Sequence, residues 1–302
     1  MPKVSICIPT YNNLLGIQKC LESVFIQTFT DYEIIITDDS SNDDVKNYIF
    51  SLNRKDIQYH KNTVALGSPQ NWNAAIEKAN GEYIKILHHD DWFTNKNALE
   101  VFVKLLNDNP NGSLGFVSSK VINLENDTLE YTNNPDGNYV ERINQFPMEL
   151  LRGNKIGAPS ATIFRKASNL FFDPQLIWLV DIDFYINILK QGTLHFDSRE
   201  AISIGISPSQ ITNSVNNDKK INVFEYFYLL KKYKIQNLAE TTILPPYRWL
   251  AEKFSLKNIR DIRDAGYTEE LPADVDIIFQ SISKKNSLKK MIKNLIYTQK
   301  KK

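Results

Sequence analysis

Cysteine, a signal sequence and long apolar runs are scarce or missing in this 302-residue chain. Its two cysteines, Cys7 and Cys20, each lie in an apolar run typical of a strand or a helix. We therefore expect two buried thiols rather than a disulfide, and a reducing compartment. No run of about 18 apolar residues occurs, so no segment is predicted to span a membrane. The chain enters a strand pattern without a signal peptide, which predicts a cytoplasmic protein, soluble or peripheral to a membrane.

Charge of either sign has almost no overall excess, because the formal net charge is +1. That balance gives no reason to expect nucleic acid as a partner. Residues 284–302, however, contain eight lysines and no acid, so the remainder holds 28 basic residues against 35 acidic ones, a net charge of −7. Apolar residues recur in this tail at helical steps: Leu288, Met291, Ile292, Leu295 and Ile296. The pattern predicts a basic amphipathic helix on an anionic membrane surface, or a lysine-rich end that packs one face on the protein.

Short apolar runs alternate with helical patterns through the amino-terminal part of the chain. The predicted strands are Val4–Pro9, Glu33–Thr37, Ile57–His60 and Tyr83–Leu87, and the predicted helices pass through 14–25, 45–52 and 69–79. This alternation predicts an α/β fold, with a mostly parallel sheet and helices on both faces. The third helix is expected to have Ser68 as its cap and Pro69 at its first position, where proline is favoured.

The rest of the chain is predicted to complete this domain and to add a helical extension. The expected features are a polar loop over 123–145, a strand over Ser160–Arg165, a helix that opens within Trp178–Asp183, and strands near 193–197 and 200–206. From residue 222 the pattern is helical, with Phe224, Phe227 and Leu230 as its apolar face. We therefore predict one domain over residues 1–218 and a helical C-terminal extension over residues 219–302.

Acidic residues follow two of the predicted strands. Asp38 and Asp39 end the second strand, and Asp90 and Asp91 end the fourth. An interior strand that delivers carboxylates to its carboxyl end is how open α/β sheets build ligand sites. Oxygen ligands suit Mg²⁺ or Mn²⁺, so Asp90 and Asp91 are candidate metal ligands. The alternative is that they only end the strand and cap the next helix.

Six short segments, taken in order along the chain, resemble the motifs of family 2 glycosyltransferases of the GT-A fold. Each segment lies at a predicted strand end or helix start. The segments are Ser5–Asn12, Glu33, Asp38–Ser41, Gly81–Ile84, His88–Trp92 and Val180–Tyr185. The resemblance covers about residues 3–210. It implies inverting transfer of a sugar from a nucleotide-sugar donor, with UDP favoured, and a divalent cation, Mn²⁺ or Mg²⁺. It also implies a glycan or lipid-linked acceptor at the inner face of the cell membrane, as for bacterial surface polysaccharides.

The resemblance further implies which residues contact the nucleotide. Asp39 matches the carboxylate that accepts a hydrogen bond from the base; the alternative is that Asp38 or Asp39 caps a helix. Tyr11 is expected to stack on the base or simply to pack. The implied nucleotide-binding residues are Pro9, Thr10, Tyr11, Asp39, Asn71, Asn73, His88 and His89.

The reacting groups are implied in the same way. Asp90 matches the metal ligand, and Asp91 and Trp92 are implied as contacts to the donor or the acceptor. Asp181 matches the catalytic base. The alternative for Asp181 is an acid in the first turn of a helix, where the helix dipole favours negative charge.

Three residues depart from the family pattern. His88 stands where the first acid of the metal motif is expected, Trp72 stands in place of an arginine, and Val180 stands in place of the acid before the base. Imidazole is a softer ligand, which suits Mn²⁺ better than Mg²⁺. These departures support a second hypothesis, a non-catalytic sugar-nucleotide-binding module. Nucleotidyltransfer fits less well, because no glycine-rich basic loop occurs early in the chain. Gln210 and Thr212 lie where the family's lid over the diphosphate begins, or in an ordinary polar loop.

Overall fold

The structure, a computed structural model, describes residues 1–208, 210, 214–239 and 242–283. Two compact units make up the chain, Met1–Gln210 and Ile211–Lys302. The predicted domain boundary, after residue 218, lies a short way beyond this division and stays a prediction. Thr212 and the lysine-rich tail lie outside the described residues, so the hypotheses about the lid and the membrane also stay predictions.

In the first unit, nine strands within residues 1–208 form one sheet. They are β1 (Val4–Thr10), β2 (Tyr32–Asp38), β3 (Ile57–Lys61), β4 (Tyr83–Ile86), β5 (Trp92–Phe93), β6 (Gly112–Asn123), β7 (Thr128–Asn133), β8 (Thr162–Arg165) and β9 (Thr193–Ile206). The order across the sheet is β3-β2-β1-β4-β8-β6-β9-β5, and β7 pairs with β6. Strands β3, β2, β1 and β4 are parallel to one another, whereas β8 is antiparallel to both β4 and β6.

Helices connect these strands. They are α1 (Leu14–Phe25), α2 (Asp44–Ser51), α3 (Gln70–Lys78), α4 (Ala98–Asn107), α5 (Tyr139–Gln145) and α6 (Val180–Ile188), with short 3-10 helices at Pro147–Arg152 and Pro159–Ala161. Helices α1, α2 and α3 lie between the four parallel strands in the chain, as crossover connections require. The α/β fold class that the sequence predicts is confirmed.

Helix α1 shows how the sequence determines these elements. Asn13 caps its start, because the side-chain oxygen accepts the Gly16 N–H at 2.9 Å. Ile17, Leu21 and Val24 recur at helical spacing and are fully buried in the main core. Burying each of these side chains stabilises the fold by about 1.5–3 kcal/mol. The apolar stripe therefore holds α1 in the core that it shares with β1 and β2.

The start of α3 differs from the prediction by one residue. Pro69 lies at the N-cap position and Gln70 is the first helical residue, so the predicted cap at Ser68 is wrong. The Asn71 N–H instead donates to the Gly67 carbonyl at 2.8 Å. A backbone acceptor thus satisfies a free amide that a capping side chain would otherwise bind.

The predicted loop over 123–145 is partly wrong, because it contains β7 and α5. Leu129 and Tyr131 alternate with polar residues on β7, and their side chains are 54% and 59% exposed. The strand therefore forms by pairing with the long strand β6 rather than by burial, and the polar composition of the segment hides this pairing. The two predicted strands near 193–206 are one strand, β9, whose pairing with β6 shifts register.

The second unit is helical where it is described. It contains α7 (Lys219–Lys232), α8 (Leu244–Phe254) and α9 (Ile259–Asp264), and residues 277–283 are also helical. Phe227 and Leu230 of the predicted apolar face are buried, whereas Phe224 is only half-buried. The predicted helical C-terminal region is confirmed. In the described part of the chain, no helix combines the length and the apolar character needed to cross a membrane.

Candidate active site

The topology brings the predicted site residues that follow β1, β2 and β4 to one edge of the sheet. Strands β2, β1 and β4 are parallel neighbours, so their carboxyl ends open on the same side. Thr10 pairs with Asp38 in the β1–β2 register. The chain that leaves β4 passes beside β1, since the Leu87 N–H donates to the Cys7 carbonyl at 2.9 Å. His89 follows, with Nδ1 lying 3.3 Å from the Pro9 carbonyl oxygen.

Asp39 lies just beyond β2 and is only 6% exposed. Its carboxylate accepts three hydrogen bonds, from Asn62 Nδ2 at 2.8 Å, from the Leu66 N–H at 3.0 Å and from the Gly67 N–H at 2.8 Å. Gly67 has a φ of +71°, a left-handed conformation that glycine adopts without strain. Asp39 therefore fixes the loop before α3, and its own carboxylate is held in one orientation.

The helix-capping alternative for Asp38 and Asp39 is wrong. Helix α2 begins at Asp44, and Asp43 is its N-cap residue. Asp38 instead accepts the Ser40 N–H at 2.7 Å and the Tyr59 hydroxyl at 2.6 Å. Both carboxylates therefore form hydrogen bonds at the carboxyl edge of the sheet, and neither caps α2.

The remaining predicted nucleotide-binding residues differ in what their side chains contact. Asn71 is 5% exposed, and its Nδ2 donates to the Thr37 carbonyl at 3.1 Å. Asn73 forms two hydrogen bonds with the backbone of Phe172, donating at 2.8 Å and accepting at 2.9 Å. Tyr11 is 57% exposed, so it does not pack into the core. The structure therefore leaves Tyr11 open to a ligand, while both asparagine amides are bound within the protein.

Asp90 and Asp91 lie in contrasting surroundings after β4. Asp90 is half-buried, and its Oδ2 accepts a hydrogen bond from Gln210 Nε2 at 2.9 Å. Asp91 is 2% exposed, and it accepts the Gly205 N–H at 3.0 Å. Burial, together with the neighbouring charge of Asp90, raises the pKa of Asp91 well above its ordinary value. The alternative that they cap the next helix is wrong, because α4 has Asn97 at its N-cap.

His88 lies beside these two carboxylates. Its Nε2 is buried without a hydrogen-bond partner, and its Nδ1 lies 3.9 Å from Asp91 Oδ2. Burial lowers the pKa of His88 to about 4, so the imidazole is neutral near pH 7. Neutral imidazole is the form that binds metals. The side-chain atoms here that could bind a metal are the carboxylate oxygens of the half-buried Asp90 and the unpartnered Nε2 of His88.

Asp181 lies in the first turn of α6. Its Oδ1 is inaccessible to solvent and has no hydrogen-bond partner. Burial raises the pKa of the Asp181 carboxyl to about 7. An acid that only interacts with the helix dipole is typically exposed to water, so its pKa would stay near the ordinary value. The burial of Asp181 thus favours a chemical role over this alternative.

Comparison with known proteins identifies the family. Residues 5–169, more than half of the chain, match the family model described as glycosyl transferase family 2. The chain belongs to this family. It is a glycosyltransferase with the GT-A fold.

Three similar proteins are informative. An Escherichia coli UDP-Glc:alpha-D-GlcNAc-diphosphoundecaprenol beta-1,3-glucosyltransferase is 27% identical over 192 residues, which cover 63% of this chain and 71% of that protein. S. aureus TarS in complex with UDP-GlcNAc has a TM-score of 0.62 at 19% identity, covering 91% of this chain and 83% of that one. The mannosyltransferase PcManGT from Pyrobaculum calidifontis, in complex with GDP-Man and Mn²⁺, has a TM-score of 0.54 at 15% identity, covering 87% and 73%. At such identities the structures show the fold alone. Matches to a protein from Mycobacterium tuberculosis and to one from Rickettsia typhi, 28% and 29% identical, cover 66% and 68% of those proteins' lengths.

Lys85 of this glycosyltransferase was missed by sequence reasoning. It lies on β4, is completely buried, and donates to the carbonyls of Ile86 and Ser160. Burial lowers the pKa of Lys85 to about 7. Ser160 in turn accepts the His88 N–H at 2.9 Å on its hydroxyl. The only signal in the sequence is a single lysine inside the apolar run of Tyr83–Leu87.

Trp92, predicted to contact donor or acceptor, is half-buried in β5 of the glycosyltransferase. The ammonium group of Lys19 lies 3.4 Å from the centroid of its ring. The backbone of Trp92 pairs with Ser203 of β9. One face of the indole is therefore covered by a cation, and the predicted ligand contact stays a prediction.

Proposed function

We propose that this glycosyltransferase transfers a sugar from a UDP-sugar to a hydroxyl group of a glycan or lipid-linked acceptor, with inversion, and that Asp181 is the base. One observation carries the proposal: the Asp181 carboxyl has a buried oxygen without a hydrogen-bond partner, and burial raises its pKa to about 7. A general base is most effective when its pKa lies near the working pH, because it is then both ionised and able to hold a proton.

The proposed reaction is a single displacement at the anomeric carbon. The acceptor oxygen attacks that carbon while its proton passes to the Asp181 carboxylate. The bond from the anomeric carbon to the diphosphate oxygen breaks, and its electron pair leaves with the nucleoside diphosphate. Because the acceptor enters on the face opposite the leaving group, the configuration inverts, as in inverting glycosidases with water in the acceptor's place.

Asp39 and Tyr11 are proposed to hold the nucleotide. Three N–H donors already orient the Asp39 carboxylate, and a carboxylate accepts about four hydrogen bonds. One acceptor position therefore remains for the N–H of a base such as uracil, while the exposed ring of Tyr11 offers a stacking surface. UDP is favoured because the E. coli relative is named for UDP-Glc and TarS was solved with UDP-GlcNAc.

The residues at the end of β4 fit a divalent cation. No group of three or more His, Cys, Asp or Glu side chains suited to a metal occurs within the described ranges, so the protein would supply few ligands. Asp90 offers an oxygen, and His88 offers a buried nitrogen without another partner. When bound, the cation would act as a Lewis acid that neutralises charge on the leaving diphosphate. The nitrogen favours Mn²⁺, the ion present in the PcManGT structure.

The acceptor is proposed to be a lipid-linked glycan at the inner face of the cell membrane. The E. coli relative is named for transfer to GlcNAc on diphosphoundecaprenol. An acceptor of that kind requires the enzyme to work at a membrane surface, with or without an anchor of its own.

The test is transfer from a panel of UDP-sugars to lipid-linked and free glycans, with and without Mn²⁺, and NMR assignment of the product anomer. Asp181→Asn is expected to abolish transfer while the dissociation constant for UDP stays within about twofold, because the base acts on the acceptor proton. Glu100→Gln is the matched control, since it removes an exposed acid from the first turn of α4 and should keep full activity. UDP binding without turnover would instead support the non-catalytic module.

A further inference from the structure

Four ring side chains form a continuous series from the end of β4 to α6. The centroid of His88 lies 4.7 Å from that of Trp72, at an interplanar angle of 42°. Trp72 meets Phe172 edge-on at 5.0 Å and 88°. Phe172 stacks on Phe184 at 4.0 Å and 13°. We call these four residues the aromatic series.

The middle of the aromatic series is held rigidly. Phe172 is 1% exposed and Phe184 is fully buried. Asn73, the neighbour of Trp72 on α3, forms two hydrogen bonds with the Phe172 backbone, at 2.8 and 2.9 Å. Close-packed interiors transmit displacements because no void absorbs them. A shift of Trp72 must therefore move Phe172 and the ring stacked on it.

Each end of the aromatic series lies close to a carboxylate of the proposed reaction. His88 is two residues from Asp90, and its N–H is fixed by the Ser160 hydroxyl at 2.9 Å. Phe184 lies three residues after Asp181 on α6, which places the two side chains one turn apart on neighbouring positions of the helix. The aromatic series thus joins the loop that carries Asp90 to the helix that carries Asp181.

Two members of the aromatic series are residues at which the resemblance implies a departure from the family pattern. Trp72 stands in place of an arginine, and His88 stands in place of an acid. The structure places these two departures in contact with each other. Packing between these two rings, together with the Ser160 hydrogen bond, therefore holds the end of β4 in this chain.

We infer that Trp72 and Phe172 are positioning residues, which set the distance between Asp90 and Asp181 through His88 and Phe184. This inference rests on the proposed function for the roles of the two carboxylates, whereas the mechanical link between β4 and α6 does not depend on it. Displacement by a fraction of an ångström to 1 Å matters, because group transfer needs the reacting atoms aligned at near-contact distance.

The test compares Trp72→Leu and Phe172→Leu with the ring-preserving variant Trp72→Phe. The matched control is Phe227→Leu, which removes a buried ring that packs against Tyr247 in the second unit. We expect Trp72→Leu and Phe172→Leu to lower kcat by about 10- to 100-fold, with the dissociation constant for UDP changed by less than about twofold. Trp72→Phe should restore kcat to within about threefold, and Phe227→Leu should leave it unchanged.

Hydrogen–deuterium exchange of the unliganded protein supplies a readout that needs no activity. Trp72→Leu should speed exchange in peptides that span Val180–Ile188, whereas Phe227→Leu should not. Unchanged exchange in these peptides, or a parallel loss of UDP affinity and kcat, would overturn the inference. If exchange responds as expected but the native protein transfers no sugar, the link between β4 and α6 stands and the proposed function fails.

Discussion

Asp181→Asn should stabilise the protein above neutral pH while it removes activity. Burial raises the pKa of the Asp181 carboxyl in the folded protein to about 7, from an ordinary value of 3.8. The folded state therefore holds this proton more tightly than the unfolded state does. Stability must fall as the pH rises from about 4 to about 7, because the unfolded chain gives up the proton first. Asparagine does not titrate, so the variant escapes this loss.

The size of the effect follows from the same two values. One pKa unit corresponds to about 1.36 kcal/mol, so the full difference sets an upper limit of about 4 kcal/mol at pH 8. The Asp181 side chain keeps some exposure, and an amide in the same place also loses hydration, so we expect a gain of about 1–3 kcal/mol. Near pH 4 the folded state keeps the proton and the unfolded chain has lost only part of it, so the two proteins should differ in stability much less than at pH 8.

The assay is urea unfolding of both proteins across pH 4.5 to 8.5, at about half-unit steps, alongside kcat of the wild type. The difference in unfolding free energy should grow through that range, and kcat should rise to a plateau above an inflection near pH 7. Glu100→Gln removes an exposed acid and should show no such growth. A difference that is flat with pH would mean that Asp181 titrates as an ordinary aspartate, and the reasoning for its role as base would be refuted.

Three further predictions concern neighbouring contacts. Gln210→Ala removes the donor that occupies Asp90, so calorimetry should show Mn²⁺ affinity raised by about two- to fivefold in the presence of UDP. His88→Asp replaces a nitrogen ligand by an oxygen, so the preference for Mn²⁺ over Mg²⁺, measured as a ratio of kcat/KM values, should fall by about tenfold. Asn73→Ala removes two hydrogen bonds to Phe172, so urea unfolding should show a loss of about 1–3 kcal/mol.

The sequence predicts the parallel half of the sheet well, because its signals are local. Buried strands appear as apolar runs such as Glu33–Thr37, and helices such as α1 show their buried stripe at fixed spacing. The same signals fail at β7, where Leu129 and Tyr131 are exposed and the strand depends on pairing with β6. Pairing between distant segments has no local pattern.

The candidate site shows the same limit at the level of single side chains. The resemblance implies that Asp39 and Asn73 contact the nucleotide, but their partners within the protein lie on segments far from them in sequence. Asp39 binds the backbone at Leu66 and Gly67, and Asn73 binds the backbone of Phe172, 99 residues away. A polar residue type shows that a hydrogen bond must be made, and only the packed fold decides with what.

In the proposed mechanism, different surroundings suit two carboxylates of similar intrinsic acidity to opposite roles in one displacement. Asp90 is half-buried, so in the proposed mechanism its carboxylate can meet a cation on the leaving-group side once the Gln210 amide gives way. Asp181 has a buried Oδ1 without a partner, and burial raises its pKa, which suits it to the proposed role of accepting the acceptor's proton. Environments that separate the behaviour of paired titratable groups are how a fold assigns acid and base roles. An identical environment at both positions would leave no reason for one of them to bind metal and the other to take the proton.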